Sequence, residues 1–178
     1  MLPQSFLSLV NNPYVHLIHN EVVAAGAMQV LELGVGEGYS TVALLYAVEE
    51  TRGFLHSIDH RDFAPGRERI VRDGPKSPRW RFLHVDDRTC VFPFSVEALY
   101  VDTSHEEEHT LLELERFVRP ETRLVLLHDT LLLGEWDGHP VGVMSAVRRF
   151  TAAHPKWIFT ELLPDDPGGC GLGKLVRA

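Results

Sequence analysis

From residue 28 onward the chain alternates short apolar runs with longer stretches in which apolar residues recur every three or four positions. Residues 28–34 (MQVLELG) form a continuous apolar run closing on glycine, which predicts a buried first strand. Residues 39–50 place Val42, Leu45 and Val48 on one face, widened by Leu44 and Ala47, the stripe of a helix packed on a sheet. Residues 53–59 (GFLHSID) predict a second strand, 65–73 a helix and 80–85 a third strand, while 86–94 show no clear period. Residues 96–102 (VEALYVD) predict the fourth strand. Ser104 and Glu107 then have the spacing of a capping box, opening a helix that buries Leu111, Leu114, Phe117 and Val118 and stops near Pro120. Residues 123–127 (RLVLL) predict a fifth strand ending in His128 and Asp129. A loop at 134–142 leads into a helix with Val143, Val147 and Phe150 on one face. Residues 157–163 and 172–176 predict two closing strands joined by a Pro/Gly-rich turn, an antiparallel hairpin.

Strands separated by helical crossovers predict an α/β fold with a mostly parallel sheet and helices on both faces. The 178 residues suit a single domain, 1–178, made of a core at 28–178 and a helical preface at 1–27. The preface is broken near Pro13 and carries apolar Phe6, Leu9, Val10, Leu17 and Val22, so it either covers a site or caps the sheet. Composition narrows the partners. A net charge of −8 argues against a nucleic-acid backbone or an anionic membrane. Two cysteines, Cys90 and Cys170, make no disulfide framework or zinc cluster, which points to a reducing cytoplasm. Residues 1–10 lack the pattern of an export signal, and no apolar run has the length of a membrane span.

The densest chemistry lies in Glu32-Leu33-Gly34-Val35-Gly36-Glu37-Gly38-Tyr39-Ser40, between the first strand and the first helix. Glycines there admit backbone conformations other residues resist and let a ligand approach closely. Exposed N–H groups at the helix start favour an anionic group. A dinucleotide fingerprint needs glycine where Tyr39 stands, so a nicotinamide cofactor is disfavoured. Asp59 ends the second strand, the place from which an acid takes ribose hydroxyls in related sheets. Neither a G-x-S-x-G elbow nor a G-K-[ST] phosphate loop is present.

The E-L-G…G-Y-S core at 31–44 resembles the cofactor loop of class I S-adenosylmethionine-dependent methyltransferases, and of catechol-type O-methyltransferases in particular. YVDTSHEEEHTLLELERF, LVLLHDT and the GLGKLVR ending are similar to small-molecule O-methyltransferases of the macrocin and cephalosporin-biosynthesis kind. The resemblance implies a Rossmann-like, seven-stranded sheet with the last strand antiparallel. It implies S-adenosylmethionine held by Glu32, Gly34, Gly36, Gly38, Tyr39 and Ser40, with Asp59 on the ribose and Asp86 or Asp87 on the adenine amino group. It places Mg²⁺ or Mn²⁺ at Asp102, His128 and Asp129. The family has an acid where this chain has His128, so either His128 joins the ligands or it packs inward and Asp129 alone faces the site.

Asp102, His105 and His128 are the catalytic candidates, His105 standing nearest to the family's lysine. The other reading of His105 is an exposed first-turn helix residue, and His109 is read as structural. The loop holding Trp136, Asp137 and His139 could close over the acceptor. The implied reaction is methyl transfer to a hydroxyl of a sugar or natural product. N-methylation and a non-catalytic cofactor-binding module are the alternatives. A homodimer whose partner completes the site is open to so short a preface.

Overall fold

In this computed structural model residues 12–178 are described, except 63, 77, 137 and 167. Phe6, Leu9, Val10 and Asp137 therefore lie outside the described residues. The order is α1 (Pro13–Ala24), β1 (Gln29–Leu33), α2 (Tyr39–Thr51), β2 (Phe54–Asp59), α3 (Ala64–Asp73) and β3 (Trp80–His84). There follow β4 (Ala98–Val101), α4 (Glu107–Phe117), β5 (Leu124–His128), β6 (Glu135–Trp136), β7 (His139–Pro140), α5 (Val143–Ala153), β8 (Trp157–Glu161) and β9 (Leu172–Arg177).

Seven strands form one sheet in the order β3-β2-β1-β4-β5-β9-β8. β1 is flanked by β2 and β4, both parallel to it, and β9 inserts antiparallel between β5 and β8. This is the Rossmann-like sheet expected, with the last strand reversed. The loop at 134–142 additionally holds the two-stranded β6–β7 hairpin, which has no hydrophobic alternation to announce it.

Successive strand side chains point to opposite faces, and the core divides accordingly. Val30, Leu55, Ala98, Tyr100, Leu124 and Leu126 pack with α1, α2 and Ile70 of α3 on one face. Leu31, Leu33, Leu99, Val101, Val125 and Leu127 pack with α4 and α5 on the other. Of the preface, α1 packs on the first face: its Val15, Ile18 and Val22 are buried against α2. That is why α2 is apolar beyond a single stripe, with Ser40 through Val48 all buried. Pro13 opens α1, since proline suits a first turn whose N–H groups lack partners, and the Asn12 side chain accepts from the Tyr14 N–H at 3.0 Å.

The Ser104–Glu107 capping box does not form. His105 adopts a left-handed backbone (φ 63°), which delays the helix, so Glu106 becomes the N-cap and makes no side-chain cap bond. The Ser104 hydroxyl is taken instead by His109 Nδ1 at 2.7 Å. The unpatterned stretch after β3 is a loop strapped from α4, where Arg116 donates to the carbonyls of Arg88 and Cys90, and by Arg119 just beyond it, which donates to that of Phe92. Among the described residues no helix is long and apolar enough to cross a membrane.

Candidate active site

Parallel β1, β2, β3 and β4 all end on one side of the sheet, and the residues at and just beyond their carboxyl ends line a cavity of about 680 Å³. That volume falls within the usual range for small-molecule sites. Gly34, Gly36, Asp59, Asp87, Asp102 and His105 are among its walls. The junctions on both sides of β1 are tight: Asp102, after β4, donates its N–H to the Leu33 carbonyl at 2.9 Å, and Gly34 donates to the Ile58 carbonyl of β2 at 2.9 Å.

Asp59 is buried, and its two carboxylate oxygens accept the backbone N–H groups of Val35 (2.9 Å) and Arg61 (2.8 Å). The carboxylate is thus pinned to the glycine loop at the cavity wall. Asp86 and Asp87 both reach the cavity but differ in kind. The Arg88 guanidinium forks onto both oxygens of the half-exposed Asp86, holding its carboxyl down to about 2. Asp87 is buried and pairs with His109.

Glu32, Gly38, Tyr39 and Ser40 are not among the cavity walls. Glu32 is fully buried beneath the loop and accepts hydroxyls from Ser40 (2.8 Å), Thr41 (2.9 Å) and Ser57 (2.5 Å), tying β1, α2 and β2 together. Tyr39 points outward under the Arg69 guanidinium, 3.5 Å from its ring centre. Burial pushes the Glu32 carboxyl up to about 7 although three hydroxyls oppose the rise. An acid raised in the fold favours the protonated native state, so its stabilisation is complete below pH 4.5 and is lost as pH rises through about 7. The loss amounts to about 3 kcal/mol at roughly 1.4 kcal/mol per pH unit. Glu32→Gln is expected to remove this component, so that urea melts at pH 5 and pH 8 differ by about 3 kcal/mol less than in the parent. Superimposable pH profiles would show that Glu32 stays ionised in the fold.

At the ends of β4 and β5 four side chains converge. His105 Nε2 lies 2.6 Å from Asp129 Oδ2 and 3.4 Å from Asp102 Oδ1. His128 Nδ1 lies 2.9 Å from the same Asp129 oxygen and 3.8 Å from Asp102 Oδ1. Tyr100 donates its hydroxyl to Asp102 Oδ2 at 3.2 Å. His105 is buried, not an exposed first-turn residue. Strict strand alternation puts His128 and Asp129 on opposite faces. It fails because Asp129 lies past the strand end in a left-handed conformation (φ 59°), which swings its carboxylate back beside His128. Burial works against charge at both imidazoles, but the carboxylates outweigh it: His105 rises to about 9 and His128 also rises. Asp129, although buried, is held well below the ordinary range by the two histidines.

Donor atoms of Asp102, His128 and Asp129 all lie within 4.8 Å of one another, and the buried His128 Nδ1 makes no hydrogen bond despite its close carboxylate neighbour. Two carboxylates and an imidazole nitrogen brought to one point fit a divalent ion. Tyr14 of α1 escaped the sequence analysis: its ring lies 4.6 Å from that of His128, and its hydroxyl donates to Asp166 after β8. Nothing in the sequence links residues so far apart. Glu113 was missed too, although an acid beside the buried stripe of Thr110, Leu114 and Phe117 is a visible signal. His139 of the hairpin reaches the cavity and pairs with Glu106 at 3.2 Å.

A sequence model described as a methyltransferase domain matches residues 31–130, from the first strand through the turn after the fifth. The chain belongs to that family. Solved structures share the fold of this methyltransferase across most of its length. The Streptomyces achromogenes O-methyltransferase TomG, involved in tomaymycin synthesis and solved with S-adenosylmethionine, is 20% identical, with 93% of this chain and 80% of that one covered and a TM-score of 0.67. A Bacillus cereus O-methyltransferase solved with S-adenosylhomocysteine is 18% identical over 100% of this chain and 92% of its own, with a TM-score of 0.68. A Podospora anserina methyltransferase, also with S-adenosylhomocysteine bound, is 13% identical, covers 99% and 89%, and has a TM-score of 0.71. No curated protein matches this methyltransferase in sequence.

Proposed function

We propose that this methyltransferase uses S-adenosylmethionine to methylate a hydroxyl of a small molecule, with a divalent ion held by Asp102, His128 and Asp129. The observation that carries the reading is one cavity bounded by the glycine loop, the pinned carboxylate of Asp59 and the Asp102–His105 end of the acid–histidine cluster. Cofactors bound in the related structures support the cofactor class, and O-methyltransferases among them support the acceptor atom.

S-adenosylmethionine supplies an electrophilic methyl group whose carbon–sulfur bond breaks as the acceptor oxygen attacks, leaving S-adenosylhomocysteine. Asp59 is placed to take ribose hydroxyls, and Asp87, rather than the Arg88-clamped Asp86, to take the adenine amino group. The glycine-loop backbone at Gly34 and Gly36, which lines the cavity, suits the close approach of the cofactor's amino-acid end. A divalent ion at Asp102, His128 and Asp129 supplies a lowered hydroxyl pKa and a fixed acceptor orientation. His105 bridges Asp129 and Asp102, whose charges raise its imidazole, and so holds the two carboxylates together. The released acceptor proton then passes to Asp102, the carboxylate of the cluster that faces the cavity.

The test is calorimetry with S-adenosylhomocysteine, followed by methyl transfer from S-adenosylmethionine to a panel of hydroxylated sugars and phenols. Micromolar binding and product carrying the methyl on oxygen are expected. No heat with well-folded protein would overturn the cofactor assignment, and product methylated on nitrogen would overturn the acceptor assignment.

A further inference from the structure

Beside the acid–histidine cluster, the same cavity carries a second polar group that the proposed chemistry leaves unused. Ser104 Oγ lies 2.7 Å from His109 Nδ1, and His109 Nε2 lies 2.7 Å from Asp87 Oδ2. Behind them Glu113, fully buried, accepts from Thr103 Oγ1 at 2.8 Å and places Oε1 3.7 Å from His109 Nε2. Ser104, His109 and Asp87 line the cavity, whereas Glu113 does not. Three elements therefore meet at one imidazole: the loop after β3, the turn after β4 and helix α4.

Two acids and an imidazole in so little space must share protons. Burial drives the Glu113 carboxyl well above its ordinary range, so it keeps its proton, and Asp87 is among its hydrogen-bonding neighbours. Burial also works to raise Asp87, but the bond and charge of His109 outweigh it and hold Asp87 below its ordinary value. Asp87 is thus the ionised member, fixed from one side by His109. An ionised carboxylate only accepts hydrogen bonds, and its two oxygens have lone pairs for about four donors. A fixed acceptor at a cavity wall selects a ligand that brings a donor and rejects an isostere that brings a second acceptor.

We infer that His109 is a positioning residue that aims Asp87 at the exocyclic amino group of the cofactor's purine, so that the site distinguishes a 6-amino from a 6-oxo base. The inference rests on placing an adenine nucleoside in this cavity. His109 itself does not contact the reacting atoms. It acts, with Glu113 behind it, by limiting the rotation of the Asp87 carboxylate, which stands in an irregular loop.

The experiment compares the binding of S-adenosylhomocysteine with that of S-inosylhomocysteine, its deaminated analogue, by calorimetry. The parent is expected to favour the amino form by about tenfold or more, the value of one buried hydrogen bond. His109→Ala is expected to weaken the amino form about tenfold and to leave the two ligands within about threefold of each other. His109→Gln places an amide N–H where Nε2 stood and should restore most of the preference, while His109→Asn, which reaches only toward Ser104, should not. If His109→Ala weakened both ligands equally and kept their ratio, His109 would be a packing residue and the inference would fall. A misfolded alanine variant leaves the Gln and Asn pair, whose equal behaviour would also overturn it. Binding of neither ligand by the parent would be a different failure, that of the cofactor placement itself.

Discussion

Replacing Gly36 with valine is expected to leave the protein folded while weakening S-adenosylhomocysteine binding on the order of 100-fold, the effect of a clash worth a few kcal/mol. A side chain built on Gly36 meets nothing within 4 Å, so its methyl groups would project into the space offered to the cofactor. The residue has φ 49°, a left-handed conformation that costs an L-residue about 1–2 kcal/mol, and that is the whole expected loss of stability. Gly34 gives the contrast. A Cβ there would lie 1.9 Å from the Asp102 carbonyl oxygen, inside the β1–β4 junction, so even Gly34→Ala should disturb the fold. Calorimetry measures the first effect and thermal melting the second. Unchanged affinity in a folded Gly36→Val protein would refute the placement of the cofactor. A Gly34→Ala protein as stable as the parent would refute the close approach of the two strands.

The order of elements could be read from the sequence because each strand and helix carries its own periodicity. Leu31 and Leu33 alternate with Val30 and Glu32, and that parity persists into the two halves of the core. Val143, Val147 and Phe150 likewise mark the buried face of α5. What could not be read depended on partners distant in sequence or on backbone turns that leave no pattern. Glu32 stands in a cofactor-loop motif, yet its side chain is spent on hydroxyls from α2 and β2, and no local rule distinguishes an acid facing a ligand from one beneath it. Ser104 satisfied the spacing of a helix cap, but the left-handed turn at His105 moved the helix start and gave the hydroxyl to a histidine. Period-two alternation stops applying at a strand end, which is why His128 and Asp129 face together. His105 and His109, one turn apart on paper, serve separate clusters because only the latter lies within α4.

The acid–histidine cluster leads to the second large effect. Asp129→Asn is expected to lower kcat by about 100- to 1,000-fold, in the range of lost proton-transfer and metal contributions, with S-adenosylhomocysteine affinity within about threefold of the parent. The separation follows from position. Asp129 sits beyond β5, one strand farther from the glycine loop than Asp102, and it is not among the cavity walls. The amide preserves size but not charge, so the ion loses a charged ligand, and His105 and His128 lose a carboxylate that raises both imidazoles. Manganese binding, followed by electron paramagnetic resonance, supplies a readout that needs no acceptor. The parent should bind the ion and the variant should bind it at least about tenfold more weakly, as expected when one charged ligand is lost. Chelation should abolish turnover in the parent, and added Mg²⁺ or Mn²⁺ should restore it. If the parent kept full activity after thorough chelation, while Asp129→Asn still lost turnover, the cluster would act through its own protons: the Asp129 charge would then be needed to keep His105 and His128 in register with Asp102. If the variant lost nothing, the convergence of four side chains at these strand ends would be structural, and the acceptor would have to be deprotonated elsewhere in the cavity.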